Sequence, residues 1–76
     1  MEKEQVLKLL KELRPGADVE NSSDLIGDRI LDSLSLTILI ARLDQEFDIE
    51  ITPDDLMPEN FATADTIAEL VKRLED

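Results

Sequence analysis

The fold is decided by residues 30–47, which read ILDSLSLTILIARLDQEF. From residue 36 onward, apolar side chains recur at i, i+3, i+4, i+7 and i+11, which is the spacing of the buried face of an α-helix. This inward stripe consists of Leu36, Leu39, Ile40, Leu43 and Phe47. Ser33 stands where an irregular segment ends and the periodic one begins, and Asp and Ser favour helix N-termini because their side chains accept bonds from free N–H groups. We therefore predict a helix over residues 33–47.

A second apolar line, on a different face of the same helix, contains Leu34, Ile38 and Ala41. One stripe is enough to bury a helix in a small bundle, so this outer apolar line needs a separate explanation. Two interpretations stay open. Either the long preceding loop folds over the line and makes it core, or the line is exposed and meets a partner. We predict a transient docking surface.

Ser33 lacks the companions that a catalytic serine needs. The chain contains no His, which is the usual general base, and no Cys. A hydroxyl at an exposed helix N-terminus is nevertheless well placed to carry a phosphate ester, because the helix dipole and the free N–H groups favour an anion. From the residues alone, Ser33 is either an N-cap or a modified serine.

The composition narrows the class of protein. The 76 residues include 19 acidic and 8 basic side chains, for a net charge of −11. This length predicts a single domain over residues 1–76 with a small core. The negative charge disfavours nucleic acid and favours partners with basic surfaces. No apolar run approaches transmembrane length and no secretory signal pattern opens the chain, so we expect no membrane span and a cytoplasmic location. We also expect the protein to be a monomer.

Three further segments have helical signals, so we predict an all-α, small four-helix bundle with a long first loop and a short third helix. Residues 2–14 keep helical apolar spacing until Pro15-Gly16 stops the helix. Thr52-Pro53 opens a third helix, which Pro58 limits to about one turn. Thr63 caps the last helix. The buried stripe of that helix is predicted to be Ile67, Leu70, Val71 and Leu74.

The connections are predicted to pack against the bundle. Residues 15–32 form a loop about three times the usual length, so apolar side chains must hold it in place, and residues 24–26 suggest one helical turn within it. The expected anchors are Val19, Leu25, Ile26, Ile30 and Leu31. Residues 48–51 are predicted to be an extended link whose two Ile cover the bundle. Met57, next to Leu56, is expected to fill the core.

Residues 44–59, the acidic segment, carry seven acids and no base. The segment is either a solvated face or a partner footprint, and its self-repulsion should cost stability at low salt. No calcium site of the EF-hand type is expected, because the central Gly and terminal Glu of that loop are missing. Without His, Cys or a metal-ligand cluster, neither a metal site nor an enzyme activity is expected.

Asp32-Ser33-Leu34, the acidic sequence FDIEI at residues 47–51 and the turn Phe61-Ala62-Thr63 resemble the acyl carrier protein family over nearly the whole chain. That family is a small four-helix bundle whose Asp-Ser-Leu serine bears 4′-phosphopantetheine, taken from coenzyme A. The resemblance implies that Ser33 is the attachment site. It also implies that Asp32 helps the transferase to recognise the site or to hold its metal ion, and that Leu34 and Ile38 contact partners. The thiol of the arm would then hold an acyl or aminoacyl thioester.

Within the family, the chain departs from carriers of bacterial fatty acid synthesis. Residues 34–38 (LSLTI) are not acidic, and Ile30-Leu31 precedes the motif in place of Gly-Ala or Gly-Leu. Residues 24–33 and 60–64 are similar to D-alanyl carrier proteins, which receive an activated amino acid from an adenylating ligase. Carriage of a fatty or polyketide chain, in fatty acid or secondary metabolite biosynthesis, stays open. So does an unmodified acidic helical adaptor. The implied partners are a phosphopantetheinyl transferase and a loading ligase or synthase with a basic docking surface.

Overall fold

The computed structural model describes residues 2–75, and these contain helices and turns but no β-strand. The α-helices are α1 (Glu2–Leu13), α2 (Ser33–Phe47) and α3 (Ala64–Glu75). Two short 3₁₀ turns, Pro53–Asp55 and Pro58–Phe61, lie between α2 and α3. The all-α prediction is confirmed, and the predicted bounds of α2 agree with the structure at both ends.

The three α-helices bury one apolar face each in a common core. Helix α1 packs against both α2 and α3, and α2 also contacts α3. On α2, Leu39 and Leu43 are fully buried. Leu36, Ile40 and Phe47 are partly buried against the same core. The inward stripe is therefore confirmed, and each fully buried Leu contributes roughly 1.5–3 kcal/mol of transfer free energy.

The predicted short third helix is not an α-helix in the part of the chain that the structure describes. Two 3₁₀ turns take its place, and each has a Pro at its first position. Pro has no N–H to donate within a helix, so the second Pro prevents the first turn from continuing as a helix. Thr52 opens the segment as predicted, and its N–H and hydroxyl both donate to Asp55 Oδ2 at 3.1 Å. Residues 2–75 thus contain three α-helices and two 3₁₀ turns, and the predicted four-helix bundle is not confirmed.

The expectation that Met57 fills the core is wrong. Met57 is 47% exposed and Leu56 is 44% exposed. The chain reverses tightly here, since the N–H of Leu56 bonds the carbonyl of Pro53 and the N–H of Met57 bonds that of Asp55, and the two apolar side chains remain on the outside. Phe61, which is 1% exposed, fills the core instead.

The first loop, residues 15–32, is held in place by the five apolar anchors that the sequence predicts. Val19, Leu25 and Leu31 are buried, and Ile26 and Ile30 pack against the core. The N–H of Leu25 donates to the carbonyl of Ala62 at 2.7 Å, which ties the loop to the segment before α3. The loop is therefore a fixed part of the structure despite its length.

The single helical turn predicted to open at Asp24 is present, since the carbonyl of Asp24 accepts the N–H of Asp28 at 2.8 Å, an i to i+4 bond. It does not extend into a helix, and residues 25–29 are hydrogen-bonded turns. Asp24 Oδ1 accepts the N–H of Gly27 at 2.9 Å, a bond to the third residue on that is typical of a helix N-cap. A Cβ at Gly27 would overlap the Asp24 carboxylate, so a larger residue at this position would have to displace that side chain.

Residues 49–51 of the predicted link have no helical or strand structure, and the prediction that its two Ile cover the bundle is confirmed. Ile51 is buried and Ile49 packs against the core. Helix α2 ends at Asp48, which adopts the left-handed conformation at φ 54° and donates its N–H to the carbonyl of Asp44. The Asp44 side chain holds the link as well, because its Oδ1 accepts the N–H of Ile51 at 3.0 Å.

Candidate functional site

The N-cap of α2 is Asp32 rather than Ser33. Asp32 has extended backbone angles, and its Oδ1 accepts the N–H of Ser35 at 2.8 Å. This backbone bond, followed by a bond from the Ser35 hydroxyl, lowers the pKa of Asp32 because both stabilise the carboxylate. The interpretation of Ser33 as the cap is wrong. Sequence alone left it open, since Asp and Ser are almost equally favoured at this position.

Ser33 is consequently the first residue of the helix, and its side chain has no capping role. The residue is exposed, and its hydroxyl makes no hydrogen bond with any group in residues 2–75. Its carbonyl accepts the hydroxyl of Thr37 at 2.9 Å, so the backbone here is held while the side chain remains free. A free, exposed hydroxyl at the positive end of a helix can be esterified without disturbing any contact of the fold.

An open groove with a volume of about 460 Å³ lies beside this hydroxyl. Its walls come from the first loop and from the first turn of α2. They are formed by Ile26, Arg29, Leu31, Asp32, Ser33 and Leu36. The lining combines the apolar side chains of Ile26, Leu31 and Leu36 with the charged Arg29 and Asp32.

The first loop delivers Ser33 to this position through a compact turn. The carbonyl of Leu25 accepts two N–H groups, those of Ile30 and Leu31, at 3.0 Å each. Arg29, immediately before them, adopts φ 63°, a left-handed conformation that is uncommon for a residue other than Gly, Asn or Asp. Arg29 is not predicted from the sequence, because nothing in a lone Arg indicates a positive φ or a place beside the serine.

The outer apolar line is exposed on the surface. Leu34 is 71% exposed, Ile38 is 41% exposed, and Ala41 is also exposed. The first loop does not cover them, because its anchors insert into the core and its backbone bonds the segment before α3. The interpretation of Leu34 and Ile38 as core residues is therefore wrong, and their role in docking stays a prediction.

The acidic segment is only partly a free surface. Asp44 and Asp55 have structural roles, since each accepts hydrogen bonds from backbone N–H groups of the following or preceding link. Across residues 2–75 the ion pairs are Lys3–Asp65, Lys11–Glu20 and Arg42–Glu12, and none of the seven acids takes part in them. Their negative charge is therefore uncompensated by direct pairing.

The described residues contain no group of three or more His, Cys, Asp or Glu side chains arranged to hold a metal ion. Within the same residues, no helix combines the length and apolar character needed to span a membrane.

Comparison with known families identifies the class of protein. Residues 4–74 match the family described as phosphopantetheine attachment site, and the chain belongs to this family. It is a carrier protein that holds covalently attached 4′-phosphopantetheine. The chain is also 32% identical to the D-alanyl carrier protein of Lactococcus lactis subsp. lactis over 80 aligned residues, which cover 97% of this chain and 96% of that protein. The resemblance to carrier proteins stated from the sequence is thereby confirmed, and the alternative of an unmodified adaptor loses its support.

Proposed function

We propose that Ser33 is the residue to which 4′-phosphopantetheine is attached, and that the chain is a dedicated carrier of a D-alanyl group. The observation that supports the attachment site is the exposed Ser33 hydroxyl at the N-terminus of α2, which makes no hydrogen bond with the described residues. Ser35, the other serine of this turn, is less suitable because it is half-buried and its N–H is bonded by Asp32.

The residues around Ser33 fit a phosphodiester. The positive end of the α2 dipole favours the anion. Asp32 fixes the start of the helix through its bond to Ser35, and this bond sets Ser33 as the first helical residue. As the family resemblance implies, Asp32 also serves recognition by the phosphopantetheinyl transferase or holds the metal ion of that enzyme. When bound, the arm supplies the thiol that holds the cargo as a thioester.

The outer apolar line is proposed as the docking surface for the transferase and the loading ligase. Leu34 and Ile38 lie one turn apart beside Ser33, and Ala41 continues the line. The net charge of −11 attracts a partner with a basic surface over long distances. Contact of the outer apolar line with the partner then aligns Ser33 with the active site of that enzyme. Exposed apolar side chains on a helix that already has a complete inward face support this role.

The proposed cargo follows from the relative, which is named for D-alanine and which this chain matches along nearly its whole length. An adenylating ligase would activate the amino acid and transfer it to the thiol of the arm. The chain itself would act as a monomeric, single-domain cytoplasmic carrier that presents the thioester to successive enzymes and performs no bond chemistry. Tethering raises the effective concentration of the cargo at each active site.

The attachment site is tested by intact mass after incubation with a phosphopantetheinyl transferase and coenzyme A. The wild type should gain one phosphopantetheine group and Ser33→Ala none, while Ser35→Ala is a matched control that should still be modified. Circular dichroism should show that all three proteins are folded. Modification of Ser33→Ala, or loss of modification in Ser35→Ala alone, would refute the assignment.

The cargo is tested with the holo protein and a D-alanine-activating ligase. Mass spectrometry should show one alanyl group with D-alanine and ATP, and none with L-alanine or a fatty acid. Hydroxylamine should release the group, since thioesters are cleaved by it. Loading with fatty acids by a fatty acyl ligase, but not with D-alanine, would favour the alternative of an acyl-chain carrier.

A further inference from the structure

Arg29 places a positive charge in the groove beside Ser33. It is the cation among the six residues that line this groove. Its backbone is held by a bond from its N–H to the carbonyl of Ile26 at 3.0 Å, so the residue has a defined place at the edge of the site.

The guanidinium of Arg29 has no partner within residues 2–75. The ion pairs of the described chain use Lys3, Lys11 and Arg42, and Arg73 donates to Asn60. The Arg29 side chain takes part in no hydrogen bond or ion pair with the described residues. An exposed Arg that has no partner among the described residues is available to an anion.

The two carboxylates on either side of Arg29 already have other partners. Asp28 Oδ2 accepts the hydroxyl of Ser22 at 2.7 Å, and Asp32 Oδ1 accepts the N–H of Ser35. A phosphodiester on Ser33 would add one more negative charge next to Asp32, in a chain whose net charge is already −11. Repulsion between these anions is reduced if a cation lies between them.

We propose that the guanidinium of Arg29 binds the phosphodiester of the arm on Ser33 and thereby holds the first part of the arm against the groove. Arginine suits this role because its planar fork of N–H donors matches the oxygens of a phosphate. Arg29 is a positioning residue in this proposal, since it contacts the arm and not the thioester. The proposal rests on the attachment of phosphopantetheine to Ser33.

The test is ³¹P NMR of the holo protein at low salt, with the urea-unfolded holo protein as reference. The phosphodiester resonance of the folded wild type should differ from the reference. Arg29→Gln should lose more than half of that shift, and Arg29→Lys should retain part of it. Added salt near 1 M, where the Debye length is about 3 Å, should have the same effect on the wild type as Arg29→Gln.

Two further variants distinguish a contact made by the Arg29 side chain from a general loss of positive charge and from a change in the backbone. Arg14→Gln removes the same charge from a residue close enough to influence Asp32 but outside the groove, and it should leave the ³¹P resonance unchanged. Arg29→Gly removes the side chain while relaxing the left-handed backbone, so it should fold well and still lose the shift. In the wild type, the Arg29 Nε–H resonance should move between the apo and holo forms.

The two proposals fail in different ways. If mass spectrometry places phosphopantetheine on a residue other than Ser33, the proposed attachment site fails. If the arm is on Ser33 but the ³¹P resonance is the same in the wild type, Arg29→Gln and Arg29→Gly, the role of Arg29 is refuted while the attachment site stands.

Discussion

Ile38→Asp is the sharpest test of the docking surface, because Ile38 and its neighbour Leu39 lie in opposite environments. Ile38 is 41% exposed, so about three-fifths of its side chain is covered. Burying a whole Ile is worth about 1.5–3 kcal/mol, and losing three-fifths of that costs roughly 1–2 kcal/mol. The new carboxylate stands one turn before Arg42, and such a pair returns about 0.2–0.5 kcal/mol.

This loss should leave the fold intact. Domains have about 0.05–0.15 kcal/mol of stability per residue, which gives about 4–11 kcal/mol for a chain of 76 residues. Leu39→Ala is the contrasting variant, since Leu39 is fully buried and its truncation should cost about 2–5 kcal/mol. Urea unfolding followed by circular dichroism measures both differences.

The rate of modification by the transferase should change in the opposite order, with a large effect of Ile38→Asp and a small effect of Leu39→Ala. If Ile38 anchors the partner, its replacement should cost at least about 2 kcal/mol of binding in the transition state, or roughly thirtyfold in kcat/KM for the transferase. Leu39→Ala should load at nearly the wild-type rate under conditions where it is folded. Gln45→Glu adds the same negative charge to an exposed position of α2 and serves as the charge control, with loading close to that of the wild type.

Two results would refute this reasoning. Unfolding of Ile38→Asp would contradict the exposed position that the structure gives this side chain. Unchanged loading of a folded Ile38→Asp protein would show that the outer apolar line is not the docking surface.

The remaining predictions concern stability. Because the seven acids of residues 44–59 form no ion pair in the described chain, moderate salt should raise the Tm, and a Tm that is flat or falls in calorimetry would contradict this. Because folding lowers the pKa of Asp32, the ionised Asp32 side chain stabilises the fold at every pH above the ordinary pKa of an Asp. This stabilisation is lost as the pH falls through the pKa that Asp32 has in the folded protein. Asp32→Ala should therefore lower the Tm most at neutral pH, and a deficit that grows on acidification would be inconsistent with this linkage. Gly27→Ala should displace the Asp24 carboxylate and break its hydrogen bond with the N–H of residue 27. Hydrogen exchange of the backbone amides in residues 25–31 should then be faster than in the wild type. Unchanged exchange rates would show that the loop tolerates a Cβ at this position.

Much of the architecture follows from the sequence, because helical periodicity reports directly which side chains share a face. The spacing from Leu36 to Phe47 predicted α2 and its buried stripe, and Thr63 was correctly predicted as the cap of α3, where its hydroxyl oxygen accepts the N–H of Thr66 at 3.1 Å. The Asp-Ser-Leu motif pointed to the family. These features depend on the spacing of side chains and on hydrogen bonds between residues that are close in the sequence, so the sequence alone is enough to predict them.

Only the tertiary structure decided what covers each face. Periodicity places Leu34 and Ile38 on one face of α2, but their exposure depends on the path of a loop anchored through Leu25 to Ala62, far away in the sequence. The choice of Asp32 over Ser33 as the cap depends on a backbone orientation that both residues can adopt. Arg29 lies beside Ser33 because the loop turns through a left-handed residue that no spacing rule indicates. Contacts between distant segments set the surroundings of the serine, and those contacts exist only once the chain has folded.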